Sequence, residues 1–549
     1  MTERAFFRVR ICCITEQCRF ARVSPELNIL FNSFYFQEVL NMWETVIGAV
    51  KTANDWLNSI VWGWPTIILI LGTGILLTIR TKAMQVRKLG ASMSTTIVPT
   101  VKSIGKNKKD SKTNTVSQFE AFSAAISGTV GTGNIIGVTS AILTGGPGAV
   151  FWMWISAFFG MITNYAENVL GLYYRKKDKN GDFSGGAFYY IANGLGWKWL
   201  GYVAAVFCML AALGMSGAQT NKISGTITST FGVSDSTVAK IIVGVVIALL
   251  AAIIIIGGIK RIGRVASMLV PFMSLLFIVL ALIAICMNIS ALPKAFSLIF
   301  SNIFGFEAMA GGFGGYVFSQ VIKKGMARGV FSNEAGLGSS VIAHSASETK
   351  EPVKQGLWGI FEVFFDTFII CTMTALLVLT TFVNNGEIET FTASTSDAAT
   401  SLAAFNENFG MFGTVCFAII LPLFAFTTIL AWSYYGEKAT QFCFGRLGEK
   451  GQKIAVTVFK IVYVVLIVGS AVIENELAWE LSDTANALMA MPNLIAVVIL
   501  SGTVVKITRN YYQRQRGEKV EPMLSAYPDQ NAEFKAELEA ENEAASAKK

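Results

Sequence analysis

Two apolar runs in this chain are broken by glycines, at Ser127-Gly128-Thr129-Val130-Gly131-Thr132-Gly133-Asn134 and at Gly311-Gly312-Phe313-Gly314-Gly315. The breaks fall at matching places in its two halves. A helix in lipid that loses backbone hydrogen bonds must hand the freed N–H and C=O groups to a ligand, an ion or a protein-lined cavity, because hydrocarbon supplies no partner. Either break alone reads as well as a small-residue surface for close helix packing. Their pairing across two halves is what points to the binding site of a secondary transporter.

Hydrophobic residues make up 53% of the 549, charged residues only 15%, and the mean hydropathy is +0.53. Such a composition places the chain among polytopic membrane proteins and excludes soluble enzyme folds. No covalent chemistry is called for. The formal net charge of +8 does not indicate nucleic acid, because the basic residues fall in short loops between apolar runs, where they orient a chain in the membrane. Cys208, Cys286, Cys371 and Cys416 stand singly in apolar segments as small hydrophobes. Cys12, Cys13 and Cys18 lack the second ligand pair of a zinc site, and the single histidine, His344, lies far from them. No metal centre of that type is expected.

The first 41 residues contain no continuous apolar core of signal-peptide type. Met42 opens WETVIGAVKTANDWLNSIVWGWP, which reads as an amphipathic interfacial helix, so translation is expected to start there. From about residue 521 the chain is polar and rich in Glu, Ala and Lys, the composition of a mobile tail.

A span needs roughly 20 apolar residues. Eleven are read, at about 63–80, 119–142, 148–174, 199–219, 238–258, 265–288, 297–321, 355–382, 407–436, 454–474 and 482–505. Alternate loops carry the basic residues: Arg80 to Lys112, Arg175 to Lys179, Lys260 to Arg264, Lys323, Lys324 and Arg328, Lys438 to Lys453, and Lys506 to Arg516. The opposite loops hold little beyond Lys222, Lys240 and Lys294. This asymmetry predicts a multi-pass plasma-membrane protein with its N-terminus outside and its C-terminus in the cytoplasm. With the first span set aside, the rest divides into five plus five of opposite topology, each half led by a broken helix. The expected layout is an N-terminal extension 1–41, a leading region 42–118, repeats over 119–288 and 297–505, and a cytoplasmic tail 506–549.

In the first break, three glycines permit unwinding. N–H groups of the outer half-helix suit a carboxylate, and carbonyls ending the inner half suit a cation. A zwitterion matches both. Phe313 amid glycines would close over a small substrate, and Gln219 either faces the cavity or caps its helix. Thr427 and Thr428, in FTTILAW, offer hydroxyl oxygens fitted to a hard monovalent cation, or else bond back onto their own helix. Glu167, with Asn164 and Asn168, and the pair Glu362 and Asp366 are ionisable groups within spans. They either bind and relay protons or brace neighbouring helices.

GGPGAVFWMWISAFFG, from Gly145 to Gly160, resembles the signature of the alanine or glycine:cation symporter family, and SGTVGTGNIIG, SGGAFYYI, SNEAGLGSSVIAHSA and FAFTTILAWSYYGEK look like further blocks of it. The likeness runs over about residues 42–510. It implies an all-α leucine-transporter-like fold, a 5+5 inverted repeat with one preceding helix, and sodium as coupling ion. It also implies a small neutral amino acid, alanine or glycine, as substrate. VGTGN is similar to the VGxGN of bacterial leucine transporters, which implies that Gly131, Thr132, Gly133 and Asn134 face the amino acid. By the same likeness the carbonyls of Ser127 and Val130, with Thr427 and Thr428, hold sodium. Gln219, Gly312, Phe313, Gly314 and Trp432 would line the pocket. A proton-coupled or glutamine- or serine-preferring transporter is the alternative, with a channel or substrate sensor behind it.

Overall fold

The computed structural model describes residues 45, 48–94, 115–177, 181–234, 236–304, 314–386, 396–473 and 475–546. Met1–Leu57 and Asn58–Lys549 form separate units. In the first, the segment expected to be an amphipathic helix is helical at 45 and over 48–57; the expected start at Met42 lies outside the described residues. Everything below concerns the second.

Among the described residues, eight helical stretches are long and apolar enough to cross a membrane. The leading helix α1 spans Trp64–Arg80. The first repeat follows as α2 (Gln118–Thr129), α3 (Ile136–Gly145), α4 (Ala149–Tyr173), α6 (Lys198–Thr230), α7 (Thr237–Ile255) and α8 (Gly258–Met287). Between α4 and α6 lie a two-stranded hairpin, β1 (Lys176–Lys177) with β2 (Phe183–Ser184), and the short α5 (Ala187–Gly194). A short α9 (Leu292–Ser301) leads to the second repeat. This comprises α10 (Gly314–Asn333), α11 (Ser340–His344), α12 (Pro352–Val363) continued through a π-helical turn Phe364–Cys371 into α13 (Thr372–Asn384), α14 (Asp397–Phe444), α15 (Gly448–Ser470) and α16 (Asn475–Gln515). The chain ends in α17, Pro528–Ser546.

Burial runs inside out relative to a water-soluble protein. Leu249 and Ile253 on α7 and Leu275 on α8 are about 60% exposed, whereas Gln219, Glu167, Glu362 and Asp366 are fully buried. Apolar side chains face out because lipid solvates them; buried polar groups persist only where other protein groups meet them. Long α6 packs chiefly on α14 and α16, while α4 packs on α10 and α12.

The second half carries an interruption that the sequence reading did not name. Gly312 and Phe313 lie outside the described residues, and Gly314 is the first residue of a helix that runs unbroken to Asn333. The interruption comes at Glu334–Ser339, where Glu334, Gly336 and Gly338 take φ of 54°, 95° and 74°. Lys323, Lys324 and Arg328, expected in an inner loop, therefore sit within α10. Arg328 is met by Asp483 of α16 at 3.7 Å. Lys222, likewise read as a loop residue, is buried on α6 and paired with Asp397 at 3.2 Å.

Gly325 and Gly329 lie against Ala149 and Ser156, so α10 runs parallel to α4. Gly145, at the end of α3, lies against Lys324, and Gly133 against Phe331, so α2–α3 runs antiparallel to α10–α11. The two breaks thus meet mid-bundle with opposite chain direction, the arrangement an inverted repeat generates.

The tail also departs from its composition. Residues 506–515 extend α16, and 521–541 fold back onto the bundle end that carries the hairpin.

Candidate functional site

Helix α2 starts on a capping box: Ser117 Oγ accepts from Glu120 N (3.2 Å) and Glu120 Oε2 accepts from Ser117 N (2.9 Å). It stops at Thr129 because Val130 leaves the helical region (ψ of 85°) and Gly131 is extended (ψ of −155°), and a single 3₁₀ turn, Thr132–Asn134, intervenes before α3. Asn134 organises this break. Its Oδ1 accepts from Gly131 N at 2.9 Å, its backbone O accepts from Thr374 Oγ1 at 2.7 Å, and its Nδ2 donates to Asp366 Oδ1 at 2.5 Å. Gln219 Oε1 accepts from both Thr132 Oγ1 (2.9 Å) and Thr132 N (3.3 Å). Gln219 therefore holds the break itself.

The two threonines of α14 part company. Thr428 Oγ1 lies 3.0 Å from the Ser127 carbonyl oxygen and 2.5 Å from where a Cβ on Gly131 would stand. Thr427 Oγ1 donates to Phe424 O at 2.9 Å and otherwise faces only the Met273 sulfur, at 3.8 Å. Both hydroxyls reach back to Phe424 O, Thr428 at 3.1 Å, but the helical step of about 100° between them leaves Thr428 alone of the two facing Ser127. Ser127 O, in the last turn before the non-helical Val130, and the Thr428 hydroxyl are brought together as hard oxygen donors of the kind a monovalent cation takes. Thr427 is not brought to them.

Carboxylates hold the second break. Glu334 accepts from Trp432 Nε1 at 2.9 Å and from Ser339 Oγ at 2.5 Å. Glu167 on α4 accepts from Gly336 N at 3.3 Å and from Asn493 Nδ2, which also donates to Gly336 O at 2.8 Å. Asp366, on the π-helical turn, joins the two breaks: besides Asn134 it accepts from Ser332 Oγ at 2.9 Å, one residue before Asn333 ends α10. Glu362, one turn away on α12, faces His344 Nε2 at 2.7 Å, and Asn164 donates to Ser340 at 3.2 Å. Glu167 and Glu362 thus bond across to the second broken helix.

Of the residues expected to line a pocket, Gly131, Thr132, Gly133, Asn134, Gln219 and Trp432 converge. Gly314 lies at the opposite end of α10 from the second break, about 30 Å along a helix of this length. Sequence reasoning missed Glu334, Asn493, Phe331 and Trp479. Phe331 lies 3.3 Å from where a Cβ on Gly133 would stand, and its ring packs on Trp479 with centroids 4.8 Å apart. The guanidinium of Arg328 covers both rings, at 5.7 and 5.5 Å. The signal for Glu334 was present, since Gly336 and Gly338 flanked by Asn333, Glu334 and Ser339 match the first break in polarity far better than the apolar GGFGG.

A helical membrane protein built from two inverted repeats, whose broken helices cross mid-bundle with polar groups converging on both breaks, is a secondary transporter rather than an enzyme. The solved structure of MhsT in complex with L-phenylalanine matches with a TM-score of 0.51 at 14% identity, covering 73% of this chain and 99% of that one, and fixes the leucine-transporter fold. The sodium:alanine symporter family model matches residues 47–525, and the chain belongs to that family. The sodium/alanine symporter AgcS of Methanococcus maripaludis is 39% identical over 469 residues, 84% of this chain and 97% of the relative. The probable sodium/glutamine symporter GlnT of Bacillus subtilis is 35% identical over 463 residues, 84% and 91% of the two chains.

Proposed function

We propose that this sodium-coupled amino-acid symporter takes small neutral amino acids, alanine or glycine, and imports them by alternating access. The observation that carries the reading is the crowding along the first break: Thr428 and Gln219 close on Gly131 and Phe331 closes on Gly133, which favours a small side chain. Gly131, Thr132, Gly133 and Asn134 would hold the backbone of the substrate, with Trp432 and Gln219 shaping the pocket. Ser127, Val130 and Thr428 would hold sodium. The basic loops support an outside N-terminus and a cytoplasmic position for the bundle end with the hairpin and α17.

Sodium entering from outside would stabilise the unwound segment and raise amino-acid affinity, and by reciprocity the amino acid would raise sodium affinity. A negative interior adds about 2.3 kcal/mol per charge per 100 mV to the inward drive. The test is counterflow of labelled alanine in proteoliposomes. It is expected to need sodium, to fail on a pH gradient in sodium-free buffer, and to be competed by glycine but not by glutamine. Equal uptake on a pH gradient alone, or stronger competition by glutamine than by glycine, would overturn the coupling or the substrate assignment respectively.

A further inference from the structure

Most of the C-terminal segment 521–541 lies beyond the family match, which ends at residue 525. Residues 521–541 do not trail away; they pack on the inner ends of the elements that the two broken helices depend on. Leu524 and Phe534 are buried with Phe183 of the hairpin, and Leu538 packs against them. Ala526 N donates to Tyr173 O at 2.9 Å and the Tyr527 hydroxyl to Tyr174 O at 3.2 Å, at the end of α4. Glu533 pairs with Lys177 at 2.5 Å, and Glu537 and Glu541 both pair with Lys350, at 3.0 Å for Glu537.

Arg175 explains why this position matters. Its buried guanidinium donates to the carbonyls of Ser345 (3.0 Å), Ser347 (2.6 Å) and Thr349 (2.6 Å), just after α11 ends. Its flat face is covered by Phe183 at 3.7 Å and by Phe534 of α17 at 5.6 Å. Val116, two residues before α2, is bridged to the same loop through Val116 N to Ala346 O (3.3 Å) and Glu348 N to Val116 O (2.8 Å). The inner ends of both broken helices therefore meet at one plug, and α17 covers it. The chain leading to α17 is tied to α16, where Asn510 Nδ2 donates to Glu521 O at 2.7 Å and Arg514 grips Glu351 bidentately.

We infer that α17 is an autoinhibitory strap: docked as seen here, it holds the inner ends of α2, α4 and α11 to α16 and slows opening of the cytoplasmic exit. The inference rests on the alternating-access reading, since it is the inner half-helices that must part for release. The strength of the grip suits a brake. Exposed ion pairs of this kind are individually weak and screened by salt, and the apolar contact is a few side chains, so the strap can be released without unfolding the bundle. Burial opposes the charge on Lys350, but its bonds to Glu541 and Glu537 outweigh that and its pKa is raised. The charged form is the gripping form throughout the physiological range.

The test uses the full chain with Glu533→Lys, Glu537→Lys and Glu541→Lys together, alongside a chain ending at Val520. In the triple variant, hydrogen exchange over 173–177 and 345–351, read in detergent without sodium or amino acid, is expected to accelerate. Sodium-driven alanine uptake is expected to rise on the order of threefold. Restoring opposite charge with Lys177→Glu and Lys350→Glu is expected to bring both back. Exchange unchanged in the triple variant means that the acidic face does not hold the strap, and overturns the inference whatever the substrate. Faster exchange with uptake unchanged or reduced overturns it as a brake and leaves a structural prop. The Val520 chain is expected to match the triple variant; if it folds and transports at the parental rate, the strap has no regulatory weight.

Discussion

The two breaks that meet mid-bundle are held in different ways. The first, at Val130–Asn134, has Gly131 outside the helical region at negative φ, and its backbone is held by neutral amides and hydroxyls, Asn134, Gln219, Thr374 and Thr428, with the Asp366 carboxylate one step back behind Asn134. The second has three residues of positive φ and is held by carboxylates, Glu334 and Glu167, with Asn493 and Trp432 as donors. Neutral partners can exchange for a ligand's groups at little electrostatic cost, whereas removing a donor from a buried carboxylate leaves a charge or a proton with nowhere to go. This contrast is what the proposed ligand-binding role of the first break requires, with the second break keeping its shape.

Glycine substitution offers the sharpest way to break this contrast. Gly338→Ala places a methyl 2.6 Å from the Ala187 Cβ at a φ of +74°, so strain and overlap are expected to cost roughly 3 kcal/mol or more. The readout is a thermal-unfolding midpoint lowered by several degrees with little protein surviving extraction. Gly131→Ala meets only the movable Thr428 hydroxyl, and at a φ of −127° any residue is accommodated. That variant should melt near the parent yet lose uptake by about 100-fold, some 2.7 kcal/mol. If Gly131→Ala unfolds and Gly338→Ala transports, the roles of the two breaks are reversed.

Asn493→Leu removes the donor shared by Glu167 and Gly336 O. Stability is expected to fall by about 1–3 kcal/mol, with half-saturation by sodium unchanged in the protein that survives. Thr428→Ala should do the opposite. A lost oxygen at the Ser127 carbonyl is expected to raise the sodium needed for half-maximal uptake roughly tenfold, about 1.4 kcal/mol, while the melting point holds. Thr427→Ala, whose hydroxyl turns to Phe424 and Met273, should stay within about twofold of the parent. Equal effects of the two threonines would place the cation elsewhere. The smallest expected change concerns the rings over Gly133: Phe331→Ala should let methionine compete with alanine several-fold better, since each methylene admitted is worth about 1–3 kcal/mol. Unaltered competition would remove Phe331 from the pocket wall.

Much of the fold was legible along the chain. Apolar runs separated by basic loops required a polytopic helical protein, and SGTVGTGN marked a break that the structure does unwind. The same reasoning read the second break at GGFGG, most of which lies outside the described residues, and passed over the interruption at Glu334–Ser339, because glycine count was weighed without polarity. An unwound backbone in a membrane needs partners, and Asn333, Glu334 and Ser339 bring them where Phe313 does not. It also placed Arg328 and Lys222 in loops, since a lone chain does not disclose that Asp483 and Asp397, 155 and 175 residues further on, meet those charges.

What the sequence determined by itself was the solvent and the first break, because both follow from local chemistry: runs of apolar side chains demand lipid, and glycines beside hydroxyls and an amide permit unwinding in place. What only the tertiary structure decided was which distant groups converge. Thr428 rather than Thr427 turns to Ser127, Asp366 ties Asn134 to Ser332, and an acidic tail with the composition of a free segment is docked by Arg175, Phe183 and Lys350. Such contacts depend on helix phase and on the crossing of elements hundreds of residues apart, and neither quantity is written in any short window of the chain.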